Sequence, residues 1–116
     1  MINSIIQGIF EKKGYEVVCI DLSQVENASC GWFIICHGNS DTQVSAIAES
    51  VEDETRKQLH IHPCSVEGMQ NAEWVLLDYG DTVVHIFQQP FRVRYRLEEL
   101  WGDGVITRVN ELKVTE

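Results

Sequence analysis

The sequence predicts an α/β (α+β) fold: a two-layer mixed β-sheet of about five strands with helices, in the order αββαβββα. Three observations carry that prediction. Glu16 to Leu22 and Trp32 to Cys36 are nearly continuous apolar runs, the pattern of strands lying centrally in a sheet. Two alternating runs flank Gly80-Asp81, the pattern of a β-hairpin with a two-residue loop. Residues 2–13 and a stretch opened by Ser40 carry apolar residues at helical spacing. The 116 residues suffice for one domain. A core of that size buries roughly two-thirds of the unfolded surface, so folding requires neither disulfides nor a metal.

The first helix carries the stripe Ile2, Ile5, Ile6, Ile9 and Phe10, and Gly14 is its stop signal. The first strand holds Val17, Val18, Cys19, Ile20 and Leu22, and the second is Trp-Phe-Ile-Ile-Cys, ending at His37-Gly38-Asn39. Ser40 with Gln43 three residues on matches a capping box. The helix it opens buries Val44, Ile47, Ala48, Val51 and Leu59 and ends near His60. Ile61 to Val66 suits a short edge strand, because Pro63 cannot donate to a ladder. The hairpin comes next, as Glu73 to Tyr79 and Thr82 to Phe87. After Pro90 the pattern is mixed: Phe91, Val93, Tyr95 and Leu97 alternate, while Tyr95, Leu97, Leu100 and Trp101 fit a helix ending at Gly102, the preferred reading. Residues 1–103 are read as the domain and 104–116 as a C-terminal tail with little pattern.

The hairpin sets residue 79 opposite 82, 77 opposite 84 and 75 opposite 86. One face carries Val75, Leu77, Tyr79, Val84 and Ile86 and reads as core. The other carries Trp74, Leu76, Asp78, Val83, His85 and Phe87. A carboxylate among aromatic rings is costly inside a closed core. It is at home on a binding patch, where aromatic anchors supply most of the energy. The bland alternative is a helix that covers this face, with Asp78 at its rim.

Charge narrows the partner. The chain has 9 Lys and Arg against 18 Asp and Glu, a net charge of −9. Residues 16–81 hold twelve acids against Arg56 and Lys57, so the whole imbalance lies mid-chain. Direct binding of DNA or other bare nucleic acid needs a positive footprint and is disfavoured, as is an anionic membrane surface. A basic protein partner is favoured. No apolar run approaches the roughly 18 residues of a membrane span. Cys19, Cys30, Cys36 and Cys64 are too sparse for a disulfide scaffold and read as reduced core thiols of a cytoplasmic protein.

Three constellations bear on catalysis. Gly38-Asn39-Ser40-Asp41 opens a helix, where a nucleotide phosphate can sit, but neither a P-loop lysine nor a Gly-x-Gly-x-x-Gly accompanies it. Asp78 and Asp81 straddle a turn instead of converging on metal ions. His60-x-His62-x-Cys64, with Cys36-His37 elsewhere, lacks the usual spacing of a structural zinc site. No catalytic residue, cofactor or metal ligand is assigned. The rival reading is a nucleotide-binding or nucleotidyltransferase-like enzyme using the Gly38–Asp41 turn.

Several of these segments together resemble a known family. Glu67-Gly68, Trp74-Val-Leu-Leu-Asp-Tyr-Gly-Asp81, Val84-His-Ile-Phe87 and Tyr95-x-Leu-Glu-x-Leu-Trp-Gly-Asp103 are similar to the ribosomal silencing factor (Iojap) family. Asp21-Leu22-Ser23, Phe33-Ile-Ile-Cys36 and Gly38-x-Ser-Asp-x-Gln-Val44 extend the likeness over about residues 2–103. Cys30-Gly31-Trp32 departs from the family's usual Ala-Asp-Tyr, and His37 stands where Thr is common. The resemblance implies a fold like that of nucleotidyltransferases without their catalytic carboxylates. It implies a non-enzymatic translation repressor that binds the large ribosomal subunit through its protein fourteen and blocks joining of the small subunit. It implies homodimers among free members. The expected contact residues are Trp74, Leu76, Asp78 and Tyr79, with Asp81 and His85 behind them.

Overall fold

The helix that begins the chain forms where the isoleucine stripe puts it. In the computed structural model, which describes residues 1–109, α1 spans Ile2–Glu11 and buries Ile5, Ile6 and Ile9. It ends as expected: the Gly14 amide donates to the Ile9 carbonyl at 3.0 Å. The strands β1 (Tyr15–Asp21) and β2 (Trp32–Gly38) pair antiparallel. Next comes α2 (Asp41–Leu59), capped by Ser40, whose Oγ accepts from the Gln43 amide at 3.1 Å. Only half of the capping box forms. The Gln43 side chain accepts from the Asn39 amide at 2.7 Å and donates to the Lys12 and Lys13 carbonyls, which ties α2 to the end of α1.

The sheet continues with β3 (Ser65–Glu67), β4 (Trp74–Asp78) and β5 (Thr82–Gln88). Its spatial order is β3-β4-β5-β2-β1-β6, with β2 and β5 parallel and every other pair antiparallel. The sixth strand, β6 (Val105–Arg108), pairs with β1 along the edge opposite β3. This corrects the reading of 104–116 as a tail. Residues 105–108 complete the sheet, and residues 110–116 lie outside the described residues.

The two helices α1 and α2 cover one face. Between them and the sheet lie Val17, Cys19, Ile34, Cys36, Val44, Ile47, Val51, Val75, Leu77, Val84 and Ile86, all buried. Gly8 lets the helices touch, because a Cβ there would lie 2.7 Å from Val51 Cα. Leu59 departs from expectation. It is the last residue of α2 and 41% exposed, and the buried position one turn earlier belongs to Thr55. The expectation of four core thiols is corrected for two of them: Cys19 and Cys36 are buried, whereas Cys64 is exposed and Cys30 half-buried.

The second face is covered only in part. After β5 the chain forms α3 (Gln89–Tyr95) and α4 (Leu97–Leu100), two short helices separated by Arg96 at φ 50°. A non-glycine residue in the left-handed region interrupts helical hydrogen bonding. That break splits the one helix expected up to Gly102 into two short ones. Leu97, Phe91 and Trp101 pack over Val18, Ile20, Leu22, Ile35 and Phe87. Arg92, 8% exposed, anchors this cover. Its guanidinium donates to Glu98 at 2.9 and 3.3 Å, to the Tyr15 carbonyl at 3.3 Å, and contacts His37 Nδ1 at 3.0 Å.

Candidate functional site: a half-covered aromatic patch

The hairpin has the expected register. Trp74 faces Phe87, Val75 faces Ile86, Leu76 faces His85 and Asp78 faces Val83, and the Tyr79 amide donates to the Thr82 carbonyl at 2.9 Å. Alternation then divides the side chains between the two faces of the sheet. Trp74, Leu76, Asp78 and Val83 are half-buried on the α3 side, so that patch is neither sealed nor fully open.

Trp74 sits in a group of rings. It stacks on Phe87 with centroids 5.0 Å apart and lies 4.7 Å from the exposed Tyr95 of α3. Its indole Nε1 donates to His85 Nδ1 at 3.1 Å. His85 in turn meets the Phe33 ring edge-on at 4.5 Å, and Phe33 meets Trp101 at 5.5 Å. Gly68 passes against the β4 backbone at φ 86°, and a Cβ there would strike the Trp74 carbonyl. Glycine at 68 therefore sets the approach of the loop to Trp74.

Two carboxylates border the patch. Asp78 Oδ1 accepts from the Gly80 amide at 2.8 Å, an Asx turn that fixes the carboxylate at the end of β4. Asp81 is exposed in the loop, where its carbonyl accepts from the Gly31 and Trp32 amides at 2.8 and 3.0 Å. Its carboxylate lies against Gly31, and a Cβ at that position would fall 2.8 Å from Oδ1. Burial raises the nearby Cys30 thiol above its ordinary pKa, and Asp81 and Asp78 add to that rise. Between Lys57 and Arg92 the sequence has Glu67, Glu73, Asp78 and Asp81 and no Lys or Arg at all.

Two expected contact residues belong elsewhere. Tyr79 is 9% exposed on the helix-covered face, and its hydroxyl lies 2.9 Å from Thr55 Oγ1. It is a core residue. His85 is 4% exposed and lies beneath the patch, not on it. Burial pushes its imidazole down to about 4, so it is neutral at physiological pH. The sequence pattern also left out Phe33, Tyr95 and Trp101 as neighbours of the patch. No local signal marks Phe33, because only the parallel pairing of β2 with β5 brings it beside His85.

The alternative sites fare differently. At the start of α2 the Asn39, Thr42 and Gln43 amides are taken by Gln43, Asp41 and Ser40 side chains at 2.7, 2.7 and 3.1 Å. A phosphate there would have to displace all three. Cys36 belongs to the core under α1 and α2, whereas His37 bonds Arg92 on the opposite face. Among the described residues no three His, Cys, Asp or Glu side chains gather as a metal site requires, and no helix is long and apolar enough to cross a membrane.

Comparison with known proteins gives this geometry a context. The family model described as ribosomal silencing factor during starvation matches residues 1–116. A Bacillus subtilis protein named ribosomal silencing factor RsfS is 41% identical over 94 residues, 81% of this chain and 78% of that protein. Its namesake from Halalkalibacterium halodurans is 39% identical over 99 residues, 85% of this chain and 83% of that one. A crystal structure of a Chromobacterium violaceum protein superposes with a TM-score of 0.81 at 32% identity, covering 87% of this chain and 82% of that chain. By the full-length match and by these relatives, the chain belongs to the ribosomal silencing factor family.

Proposed function

We propose that this chain represses translation without catalysis, by docking on protein fourteen of the large ribosomal subunit and blocking access of the small subunit. The observation that carries the reading is the patch of Trp74, Leu76, Asp78 and Val83, half-open on the sheet and set in a stretch that holds four acids and no cation. An apolar centre bordered by the carboxylates of Asp78 and Asp81 suits a basic protein surface. Charge steers the encounter and buried rings hold it. The relatives' names, ribosomal silencing factor, point the same way. The protein then works in the cytoplasm, where ribosomes assemble. A self-associated form of the free chain belongs to this reading as well, and sedimentation with and without protein fourteen measures it.

The test is co-sedimentation with purified large subunits, read beside subunit joining by light scattering. Wild type should pellet with large subunits and lower the joining amplitude. Trp74→Ala should weaken binding at least about thirtyfold, the scale of a lost aromatic anchor. Asp78→Arg should abolish binding by placing a cation against a basic surface. Wild-type binding by both variants, at unchanged thermal stability, would refute the site.

A further inference from the structure

His85 stands mid-strand in β5, beneath the patch. An indole N–H can only donate, so the 3.1 Å contact from Trp74 Nε1 makes His85 Nδ1 an acceptor without a proton. In a neutral imidazole the single proton then resides on Nε2. That atom is buried and has no hydrogen-bond partner among the described residues. Around the imidazole stand Phe33, Phe87 and Trp74, whose ring centroids lie 4.5, 6.4 and 6.0 Å away.

A buried donor with no acceptor destabilises a fold. Phenylalanine would fill much the same space among the same rings and leave nothing unpaired within its own side chain. What histidine offers here, and phenylalanine cannot, is an acceptor for the Trp74 indole. We infer that His85 is a positioning residue for docking: it holds the Trp74 indole by its N–H and leaves that ring a donor-free apolar surface toward the partner.

This inference rests on the docking reading and narrows the partner chemistry. With its N–H engaged inside, Trp74 offers no polar bond outward. The polar contact falls to Asp78, whose Oδ1 is engaged by the Gly80 amide and whose Oδ2 has no bond within the described residues. The matching group is a lysine or arginine side chain, its aliphatic stem on Trp74 and Leu76 and its charged head at Asp78.

The experiment compares wild type, His85→Phe, His85→Asn and Trp74→Ala by large-subunit affinity, thermal melting and the indole N–H resonance of Trp74. His85→Phe should melt at or above the wild-type temperature, bind about tenfold more weakly, and show a shifted, faster-exchanging indole proton. His85→Asn restores an acceptor near the position of Nδ1 and should recover most of the affinity. Full affinity in His85→Phe, with Trp74→Ala still defective, would overturn the positioning role and leave the docking site standing. Full affinity in both would refute the docking reading itself. Nitrogen-15 shifts of the His85 ring in the wild-type protein supply a check independent of any variant. Protonation on Nε2 is expected, and protonation on Nδ1 would overturn the inference.

Discussion

Tyr79 shows how one residue tells the two faces of the hairpin apart. The family motif puts it among the contacts. The alternation puts it with Val75 and Leu77, and the structure agrees with the alternation. Thr55 directs its hydroxyl hydrogen back to the helix carbonyls of Val51 and Glu52, so the tyrosine hydroxyl is the donor in their 2.9 Å contact. Tyr79→Phe removes that bond and leaves a threonine oxygen that still donates. Stability should fall by about 1 kcal/mol, measured by urea unfolding, with large-subunit binding unchanged. A loss of binding would mean that Tyr79 reaches the partner after all. The grouping of Trp74, Leu76 and Asp78 was legible because side chains in a strand alternate whatever lies next to it. The depth of His85 was not legible, because Phe33 covers it from β2, a strand far earlier in the chain.

Among the elements, helix ends and edge strands separate what the sequence reveals from what it conceals. The cap of α2 could be read from Ser40 alone, and its loss in Ser40→Ala should cost about 1 kcal/mol of thermal stability. The α3–α4 cover could not be read in this way. Its shape depends on Arg96 in a left-handed conformation and on Arg92 reaching back to β1 and β2. Arg92→Met should destabilise by about 2–3 kcal/mol, less than for a fully enclosed ion pair because Glu98 keeps contact with solvent. It should also loosen Tyr95 from Trp74, seen as faster amide exchange through residues 89–101 with β2 still protected. Equal exchange throughout the sheet would show that Arg92 supports the whole core and not the cover. The strand β6 has no signature in the sequence, because its four residues are all exposed and pair with β1 along one edge, so no burial pattern marks them.

For the whole molecule, two buried histidines set the response to acid. His85 is held down to about 4 by burial, and His37 is lowered by burial first and by Arg92 second. Above pH 6.5, the ordinary histidine value, native and unfolded chains are both neutral at these sites. As the pH falls from there toward 4, the unfolded chain takes up protons that the native protein refuses, so stability declines through that window. For His85 the loss is on the order of 3 kcal/mol. Urea midpoints at pH 7.5, 6 and 5 should fall in sequence, and His85→Phe should flatten the trend. A midpoint independent of pH would remove the buried neutral state. Net charge acts on rate: at −9, association with a basic partner should slow by about tenfold or more between low and high salt, with dissociation changing less. The element types were legible along the chain, but the strand order was not, because nothing local states that β5 lies beside β2.

That central pairing has a consequence for how the protein comes into being. The two middle strands run parallel and are separated in sequence by α2, β3 and β4. Contacts of such long range are closed late in folding, after the entropy of the intervening loop has been spent. A nascent chain that has not yet emerged through Gln88 lacks the middle of its own sheet. Ile34, Cys36 and the inner face of α2 then have only α1 and β1 to close against, without Val84 and Ile86. A ribosome making this chain must therefore translate through Gln88 before the central pair of the sheet can form.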